Sequence, residues 1–236
     1  DRGGFLEHII DDRMPLMVYL AVDDPAKIQR GDWIRLAMAD ECGNDPLPYA
    51  EDFLNEFEET YCYDRYWHDN RGSRFLFSGY VFAWVGASDD EYFEKYAIQY
   101  FRRHYFQMGL ISHVQVSSLL ILSDKLSSAV GMNASVDAHK EMQTILKSHL
   151  KFKHRYFFQD IPNQLQAREM FGYWRKQLGI ETFNDQVTRG VEAATTSLKE
   201  IVESEMADAA IRLNLLAAFG LILALTTGAL GMNILV

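Results

Sequence analysis

The sequence predicts an α/β layer, a mixed sheet flanked by helices, followed by helical hairpins and a long stalk helix that continues into a transmembrane helix. Three observations predict it. Strand-length apolar runs alternate with helical patterns only over the first 87 residues. From Ser88 onward the periodicity is helical. From Glu181 to Asn233 there is no proline, and the last 24 residues, 213–236, carry no charge.

Leu16 to Val22 (LMVYLAV, behind Pro15) is an apolar run of strand length that stops at Asp23-Asp24-Pro25. Residues 50–61 place Phe53, Leu54 and Phe57 on one helical face with acids elsewhere. Residues 74–86 are aromatic and β-branched, and Gly79 marks a bulge or a turn between two short strands. Ser88-Asp89-Asp90-Glu91 reads as a capping box, and the helix it starts runs to about Val130. Residues 131–135 break that pattern. A second helix starts near Val136 and runs through the basic segment 147–155. Pro162 is expected just inside a third helix, which stops at Leu178-Gly179.

A continuous helix beginning at Glu181 and reaching Asn233 would be roughly 80 Å long at ~1.5 Å per residue. Its first part, to Arg212, is polar and acidic, and Val187, Val191, Ala194, Leu198 and Ile201 follow a 3–4 spacing that Glu205 breaks. The uncharged part would span about 36 Å, enough for a hydrocarbon core of ~30 Å. The expected organisation is a cytoplasmic α/β and helical domain over 1–178, a stalk over 179–212 and a first membrane helix over 213–236. A basic ridge, Lys147, Lys151, Lys153, His154 and Arg155, is either a solvated face or, in an oligomer, a partner for a neighbour's acidic stalk or for lipid headgroups.

Composition removes several function classes. With 48% hydrophobic residues the chain can build a real core, while the net charge of −10 opposes nucleic-acid binding, which needs a basic surface. Two cysteines, Cys42 and Cys62, are too few for a disulfide framework and wrongly spaced for structural zinc. The seven histidines form no HxxxH or HExxH pair, and no P-loop, GxGxxG or GxSxG occurs. Cys62 with His68 is the nearest thing to a nucleophile and base, and no enzymatic activity is expected. The first residues lack Met and any signal-peptide pattern, so the chain is expected to begin inside a longer protein.

Gly231-Met232-Asn233 lies near the end of the uncharged helix. The same tripeptide, Gly131-Met132-Asn133, sits between two amphipathic helices, where it reads as a helix stop. What distinguishes the second copy is its place after an α/β domain, an acidic stalk and an uncharged helix. That layout resembles the CorA family of magnesium channels and its zinc-transporting ZntB relatives, with residue-level matching confined to about 212–233. The resemblance implies a homopentamer in the inner membrane, with the N-terminal domain cytoplasmic and membrane lipid around the spans. It implies Asn233 at the pore mouth with Gly231 and Met232 beside it, Gly228 and Ala224 on the pore-facing stripe, and Leu221 and Leu213 as apolar constrictions.

A ring of neutral amide oxygens suits a hydrated Mg²⁺, which sheds its waters reluctantly and must also leave. Mg²⁺ is the expected ion, transported and held as a regulator by stalk acids such as Glu200, Glu203 and Asp208; Zn²⁺ is the alternative cargo. Two features depart from the family. The second membrane helix and basic tail are not in this sequence, which implies a fragment, and Leu230 stands where the family often has an aromatic. A membrane-anchored sensor or interaction protein without transport remains the reading from another class.

Overall fold

The computed structural model describes residues 14–41, 49–68, 71–131, 136–158 and 164–232. The strands are Leu16–Val22 (β1), Cys62–His68 (β2), Arg71–Phe77 (β3) and Val81–Ala87 (β4), and they form one sheet in the order β1-β4-β3-β2. β1 runs parallel to β4, while β2, β3 and β4 form an antiparallel meander. Helices Arg30–Met38 (α1) and Glu51–Tyr61 (α2) lie in the connection from β1 to β2. The sheet is mixed, and the chain as a whole is mostly helical.

Side chains alternate across a pleated strand, and β4 uses both sides. Val81, Ala83 and Val85 join Trp33, Ile34 and Ala37 of α1 and Phe57 of α2 in one core. Phe82 and Trp84 point the other way, into an aromatic core with Phe75 and Phe77 of β3. Phe82 stacks on Trp174 at 4.5 Å between ring centroids, and Phe75 on Trp84 at 4.5 Å. With helices packed on both faces, nearly every residue of β4 is buried.

The helix that covers the aromatic face begins with two π-helical segments, Phe93–Ala97 and Phe101–Tyr105, joined by the short turn Ile98–Tyr100 (α3), and continues as Phe106–Gly131 (α4). The sequence explains the irregular winding. Phe93, Ala97, Phe101 and Tyr105 recur every four residues and are all buried. On a 3.6-residue helix a four-residue repeat drifts by about 40° per step. Wider π turns cancel that drift and keep the row on the sheet. Gly109 extends the row, because a Cβ there would stand 2.5 Å from the Trp174 ring.

Two local expectations change, and two elements appear that no pattern announced. The capping box expected at Ser88 is displaced: Asp90 caps instead, its Oδ1 accepting from the backbone N–H of Tyr92 and Phe93 at 2.9 and 3.4 Å. β4 and its turn run further than the pattern suggested, and the Ser88 hydroxyl turns to Asp23. Strand β2 and helix α1 had no clear periodicity. In β2 the charges Asp64 and Arg65 interrupt alternation, and the register shifts between Tyr63 and Tyr66. Asp64 is placed there to hold Arg74, a β3 residue 5% exposed, by two hydrogen bonds of 2.8 and 2.7 Å. Trp33 and Trp67 cover that guanidinium at 5.0 and 4.9 Å. The third helix, Leu165–Gln177 (α6), starts past Pro162, which lies outside the described residues.

The remaining helices are Val136–Arg155 (α5) and Ile180–Met232 (α7), the latter 53 residues long. The chain divides into two compact units, residues 1–124 with 148–187, and residues 125–147 with 188–236. The first contains the sheet. In the second, the end of α4 packs on α7 where Gly190 leaves room for Leu126; a Cβ at Gly190 would stand 2.7 Å from a Leu126 methyl. A groove of about 410 Å³ lies beside this contact, lined by Ala129, Ala138, Met142, Ala194 and Leu198 among others.

Candidate functional site

The site expected from the sequence lies on α7. Its seam begins buried, with Val187 at 3% and Val191 at 1% exposure, then fades through Ala194 and Leu198 to Ile201, which is exposed. Every side chain from 203 to 221 is exposed, and so is Ala224.

Leu213 is 70% and Leu221 64% exposed. With Ala224 and Gly228 they fall within an arc of about 80° on a 3.6-residue helix, so one face carries all four. Gly228, Gly231 and Met232 lie in the last turns of α7. Asn233 lies outside the described residues, as do Met132 and Asn133 of the other tripeptide, and with them the helix stop expected there. On an unbroken helix Asn233 would stand about 140° round from Gly228, off the stripe. A role at a pore mouth therefore requires the helix to end at the tripeptide.

Glu200, Glu203 and Asp208 are exposed, and Glu203 pairs with Lys199 at 3.7 Å. Among the described residues no group of three or more His, Cys, Asp or Glu side chains is placed to hold a metal ion. A single copy thus brings these acids to its surface without assembling them into a site.

The imagined nucleophile and base separate. Cys62 and His68 occupy opposite ends of β2, roughly 20 Å apart at ~3.3 Å per residue. Burial pushes the Cys62 thiol up to about 12, with Arg74 pulling the other way, so it is protonated at neutral pH.

One helix among the described residues, Phe93–Val130, is long and apolar enough to cross a membrane by length and composition. Its first turns, however, supply Phe93, Ala97, Phe101, Tyr105 and Met108 to the aromatic core. A helix that closes one face of a sheet is spoken for by the fold, and we read its apolarity as core packing.

Sequence reasoning did not find two buried cations. Besides Arg74, Arg175 of α6 is 4% exposed and donates to Gln115 of α4, to the Phe158 carbonyl and to Glu181. Arg175 sits in a helical pattern where an arginine looks like a surface residue, Arg74 at the head of an aromatic run, and in both cases only the fold reveals that the acceptors converge.

No family model, no curated protein and no solved structure matches the chain. Fold and geometry define a class at coarse grain: a mixed-sheet domain and a long helix whose last part carries no charge, with its described side chains exposed.

Proposed function

We propose that the chain is a subunit of a homo-oligomeric membrane channel for divalent cations, with Mg²⁺ as cargo. The observation that carries this reading is the end of α7. It combines a 20-residue uncharged stretch, 213–232, with side chains that are exposed wherever they are described. Twenty helical residues are about 30 Å long, the thickness of a hydrocarbon core. An apolar helix left bare in water is unfavourable at roughly 25 cal/mol per Å², whereas lipid and neighbouring copies would cover it.

Leu213, Leu221, Ala224 and Gly228 share one face, which supports a shared bore: leucines can close it by dewetting, and small residues let helices approach. Asn233 would then supply a ring of neutral oxygens to the hydrated ion. Zn²⁺ is the competing cargo, distinguished by uptake selectivity.

The test is metal uptake by cells expressing the full-length protein. Asn233→Ala should reduce Mg²⁺ uptake to background while the oligomer, sized in detergent by light scattering, stays intact. Asn133→Ala should transport like wild type. Wild-type flux from Asn233→Ala overturns the filter assignment, and a wild-type monomer overturns the channel in favour of a simple anchor.

A further inference from the structure

The two edges of the sheet differ. β2, at one edge, carries Asp64 and Arg65, and its register with β3 shifts between Tyr63 and Tyr66. Charges and bulges of this kind keep an edge strand from pairing with another chain. β1, at the other edge, has neither. Its seven residues, LMVYLAV, hold one unbroken register with β4 and include no charge, proline or glycine. Leu16 is 42% and Leu20 39% exposed, whereas every residue of β4 from Val81 to Gly86 is buried.

The ladder shows which backbone groups of β1 are left over. Leu16 N–H donates to the Tyr80 carbonyl at 2.7 Å, and the Val22 carbonyl accepts from Ser88 N–H at 2.8 Å. Both residues turn their backbone toward β4, and along a strand that direction alternates from one residue to the next. Met17, Tyr19 and Ala21 therefore turn their N–H and C=O groups to the open edge, where none has a hydrogen-bond partner among the described residues.

Side chains supply the second part of the site. Met17 and Tyr19 pack on the aromatic core, while Val18 lies on the opposite face with α1. There Leu16 and Val18 join Leu36 and Val81 in an apolar groove of about 440 Å³, which Asp32, Arg35 and Asp40 also line. Asp32 pairs with Arg35 at 3.3 Å. Asp40 is exposed and has no ion-pair partner among the described residues.

We propose that the open edge of β1 and the groove against α1 bind an extended segment of a partner protein as a fifth strand. The edge calls for β backbone, because lipid or an apposed helix has no free ladder groups to offer Met17, Tyr19 and Ala21. The groove calls for apolar side chains at alternate positions, and Asp40 for a lysine or arginine beside them. Antiparallel pairing is the more stable per residue. In it, the partner residues opposite Met17, Tyr19 and Ala21 exchange hydrogen bonds with them. The residues between send their side chains to the groove side, from a strand ~4.8 Å beyond β1. The site lies on the sheet and does not depend on the channel reading.

The test is fluorescence anisotropy on the full-length protein in mild detergent. The probe is the peptide Thr-Val-Thr-Val-Thr-Lys-amide, fluorescein-labelled at its N-terminus. Its threonines meet the ladder, its valines the groove and its lysine Asp40, and it should bind with Kd below ~100 µM. N-methyl groups on the two inner threonines remove ladder donors and should abolish binding. N-methyl groups on the valines point away from β1 and should leave it nearly unchanged. Asp40→Lys should weaken binding about tenfold, and a peptide ending in glutamate instead of lysine should recover it on that variant. Ala21→Pro removes an outward donor without touching the β4 ladder, so binding should fall about tenfold while tryptophan-monitored melting holds.

No binding by wild type, or equal binding of the two N-methylated peptides, overturns the proposal. If binding appears only in a chain shortened to start at Met14, the preceding residues take the edge and the proposal fails. If Ala21→Pro breaks the oligomer instead, a second copy takes it and the proposal fails as well. None of these results bears on metal uptake, so the channel reading stands or falls separately.

Discussion

Arg175 is the residue whose removal the structure prices most directly. Its guanidinium donates to Gln115 Oε1 at 2.6 Å and to the Phe158 carbonyl, with the rings of Phe157 and Phe171 at 4.8 and 5.5 Å. Gln115 is fully buried. Arg175→Met keeps contact with the rings but leaves the Gln115 oxygen without a donor; the Phe158 carbonyl keeps the weaker bond from Gln115. A buried polar group that loses its partner costs ~1–3 kcal/mol. One full loss and one partial loss give about 3 kcal/mol, in line with breaking one side of a buried ionic cluster. The Glu181 contact is left out, because that carboxylate is 54% exposed and screened. At ~2–4 °C per kcal/mol for a chain of this size, the sheet-containing unit should melt about 6–12 °C lower. All four tryptophans, Trp33, Trp67, Trp84 and Trp174, belong to that unit, so their fluorescence reports it alone. Arg175→Lys, which keeps the charge without the fork, should fall between. Glu181→Gln should cost under ~1 kcal/mol. Wild-type melting from Arg175→Met would refute the claim that the guanidinium is a required donor.

Two more expectations concern titratable groups in the same unit. Burial lowers the His113 pKa below its ordinary 6.5, so the unfolded chain takes up a proton before the folded one does. Stability contributed by the neutral ring is present above about pH 6.5 and is lost as pH falls from there toward the lower folded value. His113→Gln should flatten that part of the tryptophan-monitored stability profile, and an unchanged slope would show that His113 does not contribute. The Cys62 thiol, raised to about 12, should resist iodoacetamide at pH 8 in the folded protein and react once denaturant is added. Mass spectrometry of the Cys62 peptide reads this, and rapid labelling of the native protein would contradict the burial assignment.

How much was legible in the sequence depended on whether a segment's pattern answered to one partner or several. β1 and the run from α4 through α7 were readable because each follows a single period, with a clear stop such as Leu178-Gly179. α1 and β2 were not, because their residues serve unrelated partners. Asp64 faces Arg74, while Tyr63 donates to Glu169 of α6, 106 positions away. No local window holds both members of such a pair. The π turns were hidden for a related reason. A four-residue aromatic repeat looks like an imperfect α-helix until the sheet it covers is known. At the candidate site the stripe from Leu213 to Gly228 could be laid out from spacing alone, since an uninterrupted helix makes face a function of number. Asn233 is where that arithmetic stops. Its position depends on whether the helix ends at the tripeptide, a matter of three residues rather than of a period.

The two uncharged helices separate what apolarity alone confounds. Tyr105 to Ser123 and residues 213–232 are both about long enough to cross a bilayer, at 19 and 20 residues. The first lies in a helix that starts in the aromatic core, supplies Gly109 as a seat for Trp174, and keeps Ser112 and Gln115 buried with their side chains hydrogen-bonded. Lipid could not replace those partners without leaving Gln115 and Arg175 unsatisfied. The second makes no such demand: its described side chains are exposed, and the 20 residues include only Asn214, Thr226 and Thr227 as polar side chains. The threonine hydroxyls can bond back to their own helix. Asn214 stands next to Arg212 at the charged end, where the interface would keep it wet. A helix able to satisfy its own polar groups, with its described side chains exposed, fits a bilayer; one whose polar groups depend on neighbouring elements does not. Burial and hydrogen bonding, rather than hydropathy, therefore favour α7 over α4 as the proposed membrane span.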